Sequence, residues 1–231
     1  MQFPLIVKPS DSAGSRGIMK IKKISQLKIA LKKALKYSNE KRVIIEEFFD
    51  GQEYTIESFS HAGSTHILAI TKKSKVPFTN NTVADKLETI EENTKIFKSL
   101  KNLAIKSLNS LEYYEGPAHT EILVNKKKDK KILIETSGRG GGFNLFDGLV
   151  PVASNLNIIR KTIEHSAGRV VDFSFDKRNN AILKFFTGNQ GVVKEIKGFD
   201  LIKKYVTGGV KIVGESFVKK NQIVNNSVTD N

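Results

Sequence analysis

AHTEILVNKKKDKKILIETSGRGGGF, Ala118–Phe143, is the stretch on which the reading of this 231-residue chain turns. Two apolar, β-branched runs, HTEILV and KILIETS, flank a polar turn of Lys, Asn and Asp, which is the pattern of a β-hairpin. Pairing symmetric about Lys128 sets Glu121 directly across from Glu135, and His119 across from Ser137. Period-2 alternation then puts those four residues on one face, with Ile122, Val124, Ile132 and Ile134 on the other. Carboxylates facing each other on neighbouring strands repel and are costly to hold ionised. A hard divalent cation between them removes the conflict, because Mg²⁺ takes a few carboxylate oxygens and leaves sites for phosphate. The next residues, Ser137-Gly138-Arg139-Gly140-Gly141-Gly142, give a permissive backbone and one guanidinium, suited to close approach by an anion. The same residues also fit an amphipathic hairpin with solvent-facing glutamates and a loose glycine loop. The hairpin alone does not separate the two.

Size and composition narrow the alternatives. At 25.7 kDa, with 39% hydrophobic and 27% charged residues, the chain can build a substantial core as one large or two small domains. It has no cysteine, which excludes disulfides, thiolate zinc sites and cysteine nucleophiles. No apolar run approaches the roughly 18 residues that span a bilayer, and the first residues lack a secretory layout, so a cytoplasmic location without membrane contact is expected. A net charge of +14 raises nucleic acid as a partner. The lysines, however, are spread over helix faces and loop tips, with no helix–turn–helix or RRM signature, so no nucleic acid is expected. A basic surface suits a polyanionic nucleotide equally well.

The segments before the hairpin supply further elements. Phe3–Val7 is a strand candidate ended by Lys8-Pro9. Residues 10–17 form a Ser/Gly loop, and Ile18–Ile21 resumes as a strand. A strand–loop–strand of this kind can line backbone N–H groups on phosphate oxygens, though the Walker spacing is absent. Ser25–Tyr37 has helical periodicity, with Leu27, Ala30, Leu31, Ala34 and Leu35 on one stripe and Ser25 as N-cap. Arg42–Phe49 is a strand that turns acidic, Asp50-Gly51 a turn, Gln52–Ser60 a strand, Ala62-Gly63 a turn and His66–Thr71 a strand. Ser74–Asp85 reads as an irregular loop broken by Pro77 and Asn80-Asn81. A helix over about 91–111 would present Ile96, Leu100, Leu103 and Leu111, and another would cover 152–167. The tail carries strand candidates at 182–186, 191–196 and 210–213, a helix near 200–205, and a polar end. His61, His66 and His165 show no metal-ligand spacing and read as structural; His119 reads as a hydrogen-bonding support on the acidic face.

Four pieces stand in order: VKPSDSAGSRG at 7–17, IIEEFFDGQEY at 44–54, AHTEILV at 118–124 and ILIETSGRGGG at 132–142. Together they resemble the ATP-grasp superfamily, particularly its carboxylate–amine ligases, over roughly residues 3–165. The resemblance implies an α+β fold of antiparallel sheets with flanking helices, and a nucleotide between a small lid and a larger core. It implies residues 1–46 as the lid, 47–180 as the catalytic core and 181–231 as a C-terminal extension, with lid and extension both incomplete. Lys8 would reach the adenine and α-phosphate, and Ser12, Gly14 and Ser15 would close over the β- and γ-phosphates. Glu46, Glu47 and Phe48 would form the adenine edge, with Glu53 on the ribose. Glu121, Glu135 and Ser137 would hold Mg²⁺ or Mn²⁺. Arg139 would face the transferred phosphoryl group or the substrate carboxylate, and Lys73 would contact phosphate.

Two features depart from that pattern. Ser137 stands where the family usually has Asn, and a shorter hydroxyl would hold a second metal less well. The family's N-terminal α/β domain, with a further ATP-contacting lysine, has no counterpart here, so a parent enzyme carrying it is expected as a partner. The expected reaction is ATP-dependent, Mg-dependent joining of a small-molecule carboxylate to an amine through an acylphosphate. The alternatives are a nucleotide-binding module without ligase activity and, behind it, a basic nucleic-acid-binding domain; a homodimer stays open.

Overall fold

A computed structural model describes residues 2–12, 14–75, 84–185, 190–198, 201 and 219–224. The chain divides into two units, Met1–Lys184 and Phe185–Asn231. Within the first lie two antiparallel sheets. The smaller has strands β1 (Leu5–Pro9), β2 (Met19–Ile21) and β3 (Val43–Glu47), in the order β2-β1-β3. Leu5, Val7 and Ile21 are buried against Ala30 and Ala34 of helix α1 (Leu27–Tyr37), with Leu27 and Leu31 flanking them. The small alanines let the helix approach the sheet closely. Leu35, expected on that stripe, is exposed, and the helix is entered through a 3₁₀ turn, Ile24–Gln26, rather than capped by Ser25.

The larger sheet has six strands: β4 (Gln52–His61), β5 (Ser64–Lys75), β6 (Ala84–Thr89), β7 (Gly116–Asn125), β8 (Lys130–Ser137) and β9 (Ile182–Lys184), in the order β8-β7-β4-β5-β6-β9. A two-residue turn with both residues at positive φ, Ala62 at 49° and Gly63 at 76°, joins β4 to β5. That geometry matches strand twist, and Ala62 accepts it despite its Cβ. β5 takes in the first two residues of the stretch read as loop, and β6 begins at its last two, Ala84 and Asp85, and runs beyond it; Leu87 is the only buried apolar residue of β6, too little for a period-2 signal. Pro77 and Asn80-Asn81 lie outside the described residues.

Helix α2 (Lys95–Ser110) covers one face of this sheet. Its start is set by Thr94, whose Oγ1 accepts the Phe97 N–H at 3.2 Å, so it begins later than periodicity suggested. The buried stripe is Phe97, Leu100, Ala104 and Leu108, one step round from the expected one; Leu111 is exposed. Phe97, Leu100 and Ala104 pack on Tyr54, Ile56, Ile70, Ile122 and Val124, and each fully buried Leu or Phe stabilises the layer by about 1.5–3 kcal/mol.

The single helix expected over 152–167 is instead a π-turn, Leu145–Leu149, running into helices α3 (Val150–Ser154) and α4 (Ile158–Ser166). Asn155, at φ 59°, ends α3, and Asn157 caps α4 by accepting the Arg160 N–H at 3.1 Å. In the second unit, β10 (Gly191–Val192) pairs with β11 (Ile223–Val224). The strand at 210–213 and the helix near 200–205 expected from sequence fall almost wholly outside the described residues.

Candidate nucleotide and metal site

The register of the hairpin fixes the site. Glu121 pairs with Glu135 and His119 with Ser137, as symmetry about the turn requires. Beyond Glu121 the pairing slips by one residue, so Ile122 faces Leu133 and Val124 faces Lys131. The expected grouping of Ile132 and Ile134 with Ile122 and Val124 is corrected by this bulge: Ile132 lies across from Leu123, and both Ile132 and Leu133 are exposed. On the other side of β7, His119 pairs with Glu57, Glu121 with Thr55 and Leu123 with Glu53. One face of three strands therefore carries Glu53, Thr55, Glu57, His119, Glu121, Glu135 and Ser137. The opposite face is the apolar layer under α2.

These polar residues are wired together. Glu57 is wholly buried; its Oε1 is hydrogen-bonded to His119 Nδ1, and its Oε2 accepts the Gly141 N–H at 2.9 Å. His119 Nε2 lies 3.4 Å from Glu121 Oε1. The ammonium of Lys73 lies between Glu53 and Glu121, 3.2 Å from Glu121 Oε1, and Lys75 reaches the second oxygen of Glu53 at 2.9 Å. Carboxylate and imidazole atoms of His119, Glu121 and Glu135 lie within 4.8 Å of one another.

Electrostatics follow from that crowding. Burial pushes the Glu121 carboxyl up, but the His119 hydrogen bond and the Lys73 charge outweigh it and hold the group well below the usual carboxylate range. Glu135 is pushed up, first by burial and then by the Glu121 charge; His119, Lys8 and Lys73 oppose the shift. The repulsion inferred from sequence is thus present. Burial lowers His119, yet its bonds to Glu121 and Glu57 reverse this and raise it to about 9.

The remaining residues proposed from sequence fall in several places. Lys8, at the end of β1, is 2.7 Å from Glu46 on β3, and its charge reaches Glu135, which relates the smaller sheet to the acidic face. Glu47 accepts the Gln2 N–H at 2.7 Å, and Phe48 stacks beneath the Lys20 ammonium at 3.2 Å. Ser12, Gly14 and Ser15 lie in the β1–β2 loop, which Asp11 fastens to the α1–β3 turn by accepting the Asn39 and Glu40 N–H groups at 2.8 and 2.9 Å. Among the described residues, no hydrogen bond joins those three to Glu121 or Glu135. Ser137 is half-buried beside the pair. Arg139 is exposed and folds back, its Nη1 donating to the Gly140 carbonyl at 2.8 Å. Sequence reasoning passed over Glu57 and Lys75. Glu53, Thr55 and Glu57 recur at every second position among apolar residues, a signal that three polar groups share one strand face.

A family model described as an ATP-grasp domain matches residues 1–147. The D-alanine–D-alanine ligase of Prochlorococcus marinus (strain MIT 9301) is 29% identical over 185 residues, which cover 76% of this chain and 49% of that protein. The enzyme of the same name from Flavobacterium johnsoniae is 39% identical over 70 residues, 30% of this chain and 21% of its own. The crystal structure of an L-amino acid ligase from Bacillus licheniformis superposes with a TM-score of 0.73 at 21% identity, covering 93% of this chain and 55% of that one. The biotin carboxylase domain of the Hydrogenobacter thermophilus 2-oxoglutarate carboxylase gives a TM-score of 0.69 at 15% identity, over 96% of this chain and 50% of that one. This chain thus spans about half the length of these proteins, or less. The three-stranded sheet on one helix, five of the six strands of the larger sheet and the glutamates facing each other across the β7–β8 hairpin fall within residues 1–147: the chain belongs to the ATP-grasp family.

Proposed function

We propose that this chain is the nucleotide-binding and catalytic part of an ATP-dependent carboxylate–amine ligase. The observation that carries the reading is the pairing of Glu121 with Glu135 on one face, within reach of Lys73 and the charge of Lys8. The donor set fits Mg²⁺: two carboxylates, with the Ser137 hydroxyl next to them, whose mutual repulsion a hard cation relieves. When bound by Glu121 and Glu135, the ion would neutralise charge on nucleotide phosphates. Lys73 and Lys8 supply further positive charge for the triphosphate, and the 11–17 loop and residues 1–46 act as its lid. Each Glu53 oxygen already accepts from one lysine, and each keeps a lone pair for a ribose hydroxyl. Glu46, Glu47 and Phe48 serve as the adenine edge.

In the proposed reaction the substrate carboxylate attacks the γ-phosphorus, giving an acylphosphate and ADP; an amine then attacks the acyl carbon and phosphate leaves. The protein's share is positioning and charge neutralisation, with Arg139 swinging from its own loop towards the transferred group. The relatives' names direct the first substrate panel to amino acids. Calorimetry with Mg-ATP, followed by ADP release with free amino acids, tests the reading. Glu135→Gln should keep the fold and lose Mg-dependent nucleotide binding; unchanged binding removes the metal assignment. Binding without ADP release for any acid assigns the chain as a nucleotide-binding module.

A further inference from the structure

We propose that His61, Glu115 and His165 form a second metal site, for a borderline divalent transition ion of the Zn²⁺ class, which clips α4 to the β4–β5 hairpin. His61 ends β4, Glu115 immediately precedes β7, and His165 lies in the last turn of α4. His61 Nδ1 is 3.1 Å from Glu115 Oε2, His165 Nε2 is 2.9 Å from the same oxygen, and all three ligand atoms lie within 4.8 Å of one another. A tetrahedral ion with bonds of about 2.0–2.1 Å needs its ligand atoms roughly 3.3 Å apart, so small side-chain adjustments admit one.

The surroundings are those of a held ligand set. The Ala62 N–H of the β4–β5 turn donates to Glu115 Oε1 at 3.3 Å and orients the carboxylate, leaving Oε2 for the two imidazoles. Apolar rings wall the site: Phe59 packs edge-on to His165 at 5.0 Å and stacks on Phe173 at 4.0 Å. The imidazoles are mostly covered while Glu115 stays 56% exposed, which gives the ion a route in and a solvent-facing fourth position. Two imidazoles and one carboxylate select Zn²⁺, Co²⁺ or Ni²⁺ over Mg²⁺, which prefers oxygen. The trio is separate from the glutamate pair: His61 is four residues along β4 from Glu57, about 13 Å of strand. The inference therefore stands whether or not the ligase reading does.

The test uses the full chain without a histidine tag, titrated with Co²⁺ in excess Mg²⁺ while visible absorption is followed, then displaced with Zn²⁺. One ion per chain is expected, with a tetrahedral cobalt spectrum and a Zn²⁺-dependent rise in melting temperature. His165→Gln and Glu115→Gln should each weaken binding by about tenfold or more and remove that rise. His66→Gln, whose imidazole sits beside Phe173 outside the trio, should change neither. Circular dichroism without metal establishes that each variant is folded. Absence of binding to the wild-type chain at about millimolar Co²⁺, or a spectrum unaltered by His165→Gln and Glu115→Gln but lost in His119→Gln, overturns the proposal.

Discussion

Replacing Glu57 by glutamine probes the electrostatic frame beneath the acidic face. Glu57 is fully buried, bonded to His119 through one oxygen and to the Gly141 N–H through the other. Holding His119 at about 9 against its ordinary 6.5 corresponds to about 3 kcal/mol of preference for the imidazolium. Glu57 and Glu121 share that effect, so glutamine at 57 should remove roughly half, about 1.5 kcal/mol. The amide oxygen of glutamine can still accept from Gly141, but its NH2 then faces His119 Nδ1, so the substitution removes the acceptor for the imidazolium together with the charge. Because the folded-state pKa is raised, this stabilisation is complete below about pH 6.5 and is lost as pH rises through about 9. Wild type and variant should therefore differ most on the acid side of neutrality and converge towards alkaline pH. Urea denaturation followed by circular dichroism, from about pH 6 to about pH 9.5, reads the difference. A gap between the two proteins that stays constant over that range refutes the reasoning.

Other consequences are as direct. A Cβ at Gly141 would lie 2.6 Å from Glu57 Oε1, 2.7 Å from Leu145 Cδ2 and 2.9 Å from His119 Nδ1, so Gly141→Ala should destabilise by about 1–3 kcal/mol in urea melts. Lys73→Met leaves Glu121 without its ammonium partner; the stability tied to its depressed pKa is present above about 4.5 and lost as pH falls, so the variant should unfold at higher pH in acid titration and lose about 3 kcal/mol at neutrality. Thr94→Ala removes the cap of α2 and should cost about 1 kcal/mol by the same denaturation assay, with nucleotide binding unchanged.

The legible parts of this molecule are those governed by local periodicity. A polar turn between two runs of similar length defines a hairpin centre, and that centre sets Glu121 opposite Glu135. The bulge beyond Glu121 was hidden because the run Lys-Ile-Leu-Ile-Glu is apolar at three consecutive positions, and a one-residue slip there leaves no mark in the pattern. β6 was hidden for the opposite reason: a strand with one apolar anchor resembles a loop. In α2, hydropathy located the helix, but only packing on Ile56, Ile70 and Ile122 decided that Phe97 and Ala104 face inward, while Leu111 is exposed.

The acidic pair could be read from residues 118–143 because its members are neighbours across one short turn. Glu57 and His119, 62 residues apart, meet only because β4 and β7 are adjacent strands. His61, Glu115 and His165 are separated by 54 and 50 residues, with no spacing that a motif could register. The sequence by itself determined the hairpin and its facing glutamates, since both rest on contacts across one short turn, and the order of the family's segments, which is linear along the chain. Tertiary structure alone decided which distant polar groups share a face and which imidazoles share a carboxylate, because strand order and helix docking are set by core burial summed over the whole sheet.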